Sequence, residues 1–209
     1  MISKDISQEE NPFKIDFNQA GSIIISDSQF ENITKIGNVV AGGAIKAILQ
    51  SSNTLNIKDC KFTTCKARDT IGGAIYAEIK SSNAQITLTR TQFLQCTAQS
   101  GGGLSIISNY GGLFIIENSC IFKECKATSG NGGGIYLNLD YEYSDQASFI
   151  IRDALIQNCQ AVASASATPP TGFGGGIFIC INGNDVPPSM SLDLKGMKIY
   201  NNSATQGGQ

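Results

Sequence analysis

Seven cysteines and no histidine stand in this chain of 209 residues. Without imidazole the commonest general base and metal ligand is missing, so any chemistry falls to thiols and carboxylates. Cys65, Cys96, Cys125 and Cys159 occupy one recurring position; Cys60 and Cys120 share another. Zinc needs about four convergent ligands. Residues spaced one per repeat form a column and do not converge. The expected reading is a column of small buried thiols at a corner of the fold, with disulfides between neighbours as the alternative. The count is odd, so at least one thiol is unpaired within the chain or pairs between chains. Cys180 has a strand parity that points outward and is the candidate reactive thiol.

Carboxylates recur too. Asp27, Asp59 and Asp153 share a column, with Arg90 in the intervening repeat. Short polar side chains at such a place cap a turn, and Arg90 is expected to lie on Asp59. Stacked aspartates could instead bind calcium or act as a carboxylate pair. Inverting glycoside hydrolysis needs two carboxylates roughly 6.5–9.5 Å apart. A lyase would want an arginine or lysine base beside acids that hold calcium, and the only arginines are Arg68, Arg90 and Arg152. No catalytic residue, cofactor or metal site is assigned.

The elements that must position these groups are legible as a repeat. Gly-Gly-[Ala/Gly]-[Ile/Leu] starts at Gly42, Gly72, Gly101, Gly132 and Gly174, and Gly207-Gly208 begins a further copy. [Phe/Ile]-x-x-[Cys/Asn]-x-Ala starts at Phe62, Phe93, Phe122, Ile156 and Ile199, with a degenerate copy at Phe30. The two motifs alternate strictly. After each glycine pair the apolar residues alternate, as in Ile45, Ala47 and Leu49, so a strand with one buried face follows. A second strand precedes each motif phenylalanine or isoleucine, and a third carries that residue. In the repeat of Phe114 and Ile116 this second strand is one residue out of step.

Three short strands recurring every roughly 30 residues predict an all-β parallel β-helix, a solenoid of about six coils. Residues 1–20 form an N-terminal segment and candidate cap, with Phe13, Ile15 and Phe17 alternating. Residues 21–209 form the repeat domain, which is expected to continue or to need a cap beyond 209. Phe62, Phe93 and Phe122 are expected to stack along its axis.

With these motifs in place, the chain resembles the polymorphic outer-membrane-protein repeat family, known from chlamydial surface proteins. Gly42–Ile45 and Gly72–Ile75 match its Gly-Gly-Ala-Ile motif, and Asn202 keeps the asparagine of its Phe-x-x-Asn motif. Cys65, Cys96, Cys125 and Cys159 stand where that family usually has asparagine. The resemblance implies a right-handed β-helix of the pectin-lyase type, surface display and adhesion.

The net charge of −2 offers no basic footprint for nucleic acid. No apolar run reaches the ~18 residues of a membrane span. The first ten residues lack the apolar core of a secretory signal. Longer loops on a rigid scaffold are the places to look for binding. The last two long corners bring together Asp140, Tyr141, Glu142, Tyr143, Asp145, Asn182, Asn184 and Asp185. Beside them Tyr136 and Phe178 form an outward aromatic pair suited to a carbohydrate or a protein partner.

The expectation is a non-enzymatic repeat module with an adhesive or scaffold role, extracellular or at a cell surface. Its partner would be a protein or the adjoining coils of a longer chain. The alternatives are a polysaccharide lyase or glycoside hydrolase, and a structural subunit of an intracellular assembly.

Overall fold

The computed structural model describes residues 13–16, 21–36, 41–140, 147–182 and 191–206. All their regular structure is strand. The strands form four parallel six-stranded sheets in which each strand pairs with its equivalents one repeat before and after. The chain is therefore an all-β parallel solenoid.

Sheet 1 holds the strands that follow the glycine pairs, such as Ile45–Leu49, Ile75–Ile79 and Leu104–Ser108. Sheet 2 holds Thr54–Lys58, Gln85–Thr89 and Gly112–Glu117 with their equivalents. Sheet 3 carries the motif phenylalanines, as in Lys61–Thr63 and Gln92–Leu94. Sheet 4 consists of two-residue strands such as Lys66–Ala67 and Thr97–Ala98. The expectation of three strands per coil is corrected to four. The fourth strand is too short to show a period of two, so hydrophobic alternation could not reveal it.

The coil count is corrected as well. Four turns, from Ile45 to Ala161, are covered on both sides, and their inward residues are buried. The coils before and after them lack one neighbour, and their inward residues are only partly covered: Ile23, Ile25 and Phe30 at one end, Ile177, Ile179 and Met197 at the other. About four enclosed turns thus replace the six expected. Of the segment 1–20, Phe13–Asp16 is described; it pairs in parallel with sheet 1, Phe13 beside Ile45 and Ile15 beside Ala47.

The alternation of the sequence becomes the core. Ile45, Ala47 and Leu49, and likewise Ile135, Leu137 and Leu139, face inward and are fully buried. The rings of Phe30, Phe62, Phe93 and Phe122 stack in one file, with centroids 4.7, 5.1 and 4.5 Å apart and near-parallel planes. Ile156 and Ile199 continue that file in register.

Two glycines per coil are needed at the corner before sheet 1, for different reasons. The first of each pair has positive φ, from +62° at Gly101 to +83° at Gly42, where a Cβ is disfavoured. The second is a matter of space. A Cβ on Gly73 would lie 1.9 Å from the carbonyl oxygen of Gly102, and one on Gly43 would lie 2.0 Å from that of Gly73. Coils stack through bare backbone here, and Gly73 N donates to Gly101 O at 3.0 Å.

Two further corners, from sheet 2 to sheet 3 and from sheet 3 to sheet 4, are each turned by a left-handed residue. Asp27, Asp59, Arg90 and Asp153 have φ between 47° and 54°. Thr64, Gln95, Glu124 and Asn158 have φ between 50° and 55°. The out-of-step coil spends its extra residue here: Asn118 and Ser119 are both left-handed. This lets Phe114 keep register with Ile86, and Phe122 with Phe93.

Phe93 is stacked from both sides, whereas Phe30 has a ring on one side only. Phe93→Ala is expected to cost about 3–5 kcal/mol, and Phe30→Ala clearly less. Urea unfolding of the two variants measures this; equal losses would count against the stacked file.

Candidate functional site

Six of the seven cysteines are buried, Cys180 is partly exposed, and none is in a disulfide. Each buried thiol follows a left-handed corner residue and turns inward, where it bonds to two carbonyls. Cys96 Sγ shares its one proton between Phe62 O (3.6 Å) of the preceding coil and Leu94 O (3.5 Å) of its own. Cys125 repeats this with Phe93 O (3.4 Å) and Lys123 O (3.6 Å). Cys159 repeats it with Phe122 O (3.6 Å) and Gln157 O (3.4 Å). Cys65 likewise reaches Phe30 O at 3.4 Å.

Asn202 shows what asparagine does at the same place. Its Nδ2 donates to Ile156 O at 2.9 Å, and its Oδ1 accepts from Cys159 N at 2.8 Å. Cysteine and asparagine thus perform one task, bonding the backbone of the coil below at a tight corner. The other corner uses a mixed set. Cys60, Thr91 and Cys120 each bond a carbonyl of their own coil and one of the coil before. These thiols answer the buried polar groups that a corner leaves behind.

Their acidity follows from that setting. Burial raises Cys60, Cys96, Cys120 and Cys125, with Cys120 pushed up to about 11. Hydrogen bonding to Cys125 and burial raise Cys159. Such thiols are protonated and poor nucleophiles at neutral pH.

In the aspartate column, Asp59 is held by the arginine that interrupts the column. Arg90 grips Asp59 with both forks, Nε to Oδ1 at 2.6 Å and Nη2 to Oδ2 at 2.9 Å. That bond, first among the causes, holds the Asp59 carboxyl below its ordinary value. Arg152 bonds Asp193 through Nε at 2.8 Å and through Nη2. Two of the three arginines are therefore occupied by aspartates of the adjoining coil. Among the described residues no group of three or more Cys, Asp or Glu side chains comes together as a metal set.

The outward face of sheet 1 carries one continuous row: Lys46, Tyr76, Ser105, Tyr136 and Phe178, neighbours in register. The Tyr136 and Phe178 rings are parallel, 5.8 Å between centroids and 6° apart in plane. Phe173, from the insertion just before Gly174, tilts against Phe178 at 6.4 Å. Sequence reading missed Phe173, although its place one residue before the glycine pair could have flagged it. Ser105 lies between the two tyrosines and is fully buried, and its hydroxyl has no partner among the described residues. Burial raises both tyrosines, Tyr76 to about 12. This row is a surface on which three aromatic side chains, Tyr76, Tyr136 and Phe178, are half-buried.

The long corners stand differently. Asp140 and Asn182 end neighbouring strands and are direct register partners. Tyr141, Glu142, Tyr143, Asp145, Asn184 and Asp185 lie outside the described residues.

Comparison with protein-family models, with curated proteins and with solved structures gives no match to this chain. Among the described residues no helix is long and apolar enough to cross a membrane.

The thiols yield a pH signature. A thiol whose pKa is raised by folding contributes stability that is complete below its unfolded value. That stability is lost as the pH climbs toward the folded value. The urea midpoint is expected to fall between about pH 9 and pH 11, the ordinary and folded values for Cys120, and Cys120→Ser should flatten part of the slope. An unchanged midpoint over that range would contradict buried, protonated thiols.

Proposed function

We propose that this chain is a non-enzymatic solenoid module, a rod that displays a surface for adhesion or scaffolding. One observation supports this reading above the others: the six buried thiols and Asp59 of the aspartate column are engaged in bonds that join neighbouring coils. The thiols bond backbone carbonyls, and Asp59 and Asp193 are held by Arg90 and Arg152. The part left for recognition is the flat row on sheet 1 with its stacked Tyr136 and Phe178. A ring pair of this kind suits a sugar face or an apolar protein patch.

The polymorphic outer-membrane-protein repeat, with a cysteine column in place of most of its asparagines, is the family this reading favours. The shared task of Cys159 and Asn202 supports the exchange. Display at a cell surface follows from that resemblance. The reduced state of the six buried thiols equally suits a subunit of an intracellular assembly.

The alternative, a carbohydrate-active enzyme, is tested by incubating the protein with a pectic polymer and following polymer size. The expected outcome is no change in size. Cleavage that disappears in Asp59→Asn would overturn the rod reading.

A further inference from the structure

One coil breaks the aromatic row on the outward face of sheet 1. Tyr76, Ser105, Tyr136 and Phe178 are successive register partners. Tyr136 and Phe178, on adjacent coils, stack on each other. On the other side of Tyr136 the next coil offers no ring, because Ser105 holds that position. The next ring is Tyr76, two coils away.

The interior shows what an unbroken file looks like. Phe62, Phe93 and Phe122 stand on consecutive coils with centroids 5.1 and 4.5 Å apart. Coils rise about 4.8 Å each, so the strands that bear Tyr76 and Tyr136 lie roughly 9.6 Å apart. One ring placed over Ser105 would lie about 4.8 Å from both, the spacing that the interior file keeps. The gap has the height of one ring.

The floor of this gap is polar and unsatisfied. Ser105 is fully buried, and its hydroxyl has no partner among the described residues. Such a group destabilises the free chain until something bonds it. The two tyrosines that flank it are half-buried, so a guest enters when their side chains rotate, with the backbone left in place. The next outward row of the same strands supplies Glu78, Ile107 and Asn138 in register, all half-buried. Glu78 is paired with Lys80 at 3.2 Å. The gap therefore has two aromatic walls, a hydroxyl floor, and a rim that holds an amide and a compensated carboxylate.

That combination calls for a ring with apolar faces and hydroxyls at its edge. A purely aromatic guest would leave Ser105 unpaired. An acidic sugar would set a carboxylate beside that of Glu78. We propose that the Ser105 gap binds one neutral pyranose residue of a glycan, held between Tyr76 and Tyr136 with a sugar hydroxyl bonded to Ser105 Oγ. The proposal rests on the reading of sheet 1 as the recognition surface, and it commits that surface to one ligand class and one position.

Calorimetric titration of the full chain tests this, with neutral hexasaccharides of glucose, mannose and galactose as probes and hexagalacturonate as the acidic comparison. The chain is expected to bind at least one neutral probe, and the acidic one more weakly or not at all. Ser105→Tyr fills the gap with the chain's own ring, as Phe93 fills the place between Phe62 and Phe122, and should abolish binding while circular dichroism shows an intact fold. Ser105→Ala is the milder variant. It removes a buried hydroxyl that has no partner, so the free chain should unfold at a higher urea concentration. Its affinity for the neutral sugar should nevertheless fall about fivefold, the worth of one hydrogen bond. A serine that is only structural would change stability and leave affinity alone.

Binding that survives Ser105→Tyr unchanged would overturn the proposal. If Phe178→Ala then removes that binding, sheet 1 stands as the recognition surface and only the position fails. No binding of any neutral probe, or tighter binding of hexagalacturonate, would overturn the proposal outright. The rod reading, which stands on the polymer-size assay, is decided separately.

Discussion

Everything in this solenoid depends on how closely one coil can approach the next at the corner before sheet 1. A single methyl group there would meet a carbonyl oxygen at about 2 Å, as at Gly43 and Gly73. With glycine in place, backbone meets backbone and the corner amides bond straight across. Gly102 N reaches Gly132 O at 3.2 Å, and Gly133 N reaches Gly174 O at 3.0 Å. Close approach at this corner lets the whole coil keep the axial spacing that the four hydrogen-bonded sheets require. That spacing puts Phe62, Phe93 and Phe122 at stacking distance, and lets a thiol on one coil reach a carbonyl on the coil below.

The corner also explains why polar residues recur in a molecule whose interior is apolar. The tight corners of each coil leave carbonyls that cannot all join the sheets. Where a left-handed residue turns the chain, the next side chain folds inward and bonds them. Cysteine, threonine, serine and asparagine all serve: Cys125, Thr91, Ser28 and Asn202 each bond a nearby carbonyl. A thiol is the least polar of these and the easiest to bury. Cysteine therefore predominates where the position is enclosed, and Asn202 stands in the last coil, where the position is partly open.

Much of this was legible in the sequence, and the reason is translational repetition. Each position was read five or six times, so inward residues such as Ile86 and Leu137 announced themselves by recurrence as well as by alternation. The Arg90–Asp59 pair was legible for the same reason. The fourth sheet was not, since two residues carry no period. The bond pattern of the cysteines was not legible either, because spacing shows that thiols share a column but not which carbonyls they face. The aromatic row was seen only in part. Tyr136 and Phe178 follow from strand parity, whereas Phe173 lies in an insertion whose path no repeat constrains. Ser105 was noted as outward and is nevertheless buried, because tyrosines on both neighbouring coils flank it.

The central claim is that adjacent coils are bonded through their glycine corners, and amide hydrogen exchange tests it most directly. Loops ordinarily exchange fast, and Gly-Gly segments fastest of all by their freedom. The amides of Gly73, Gly102 and Gly133 should instead exchange as slowly as those of the strands that follow them, such as Ala77 and Ile106. Exchange of these glycines at loop rates, beside protected strands, would contradict the account.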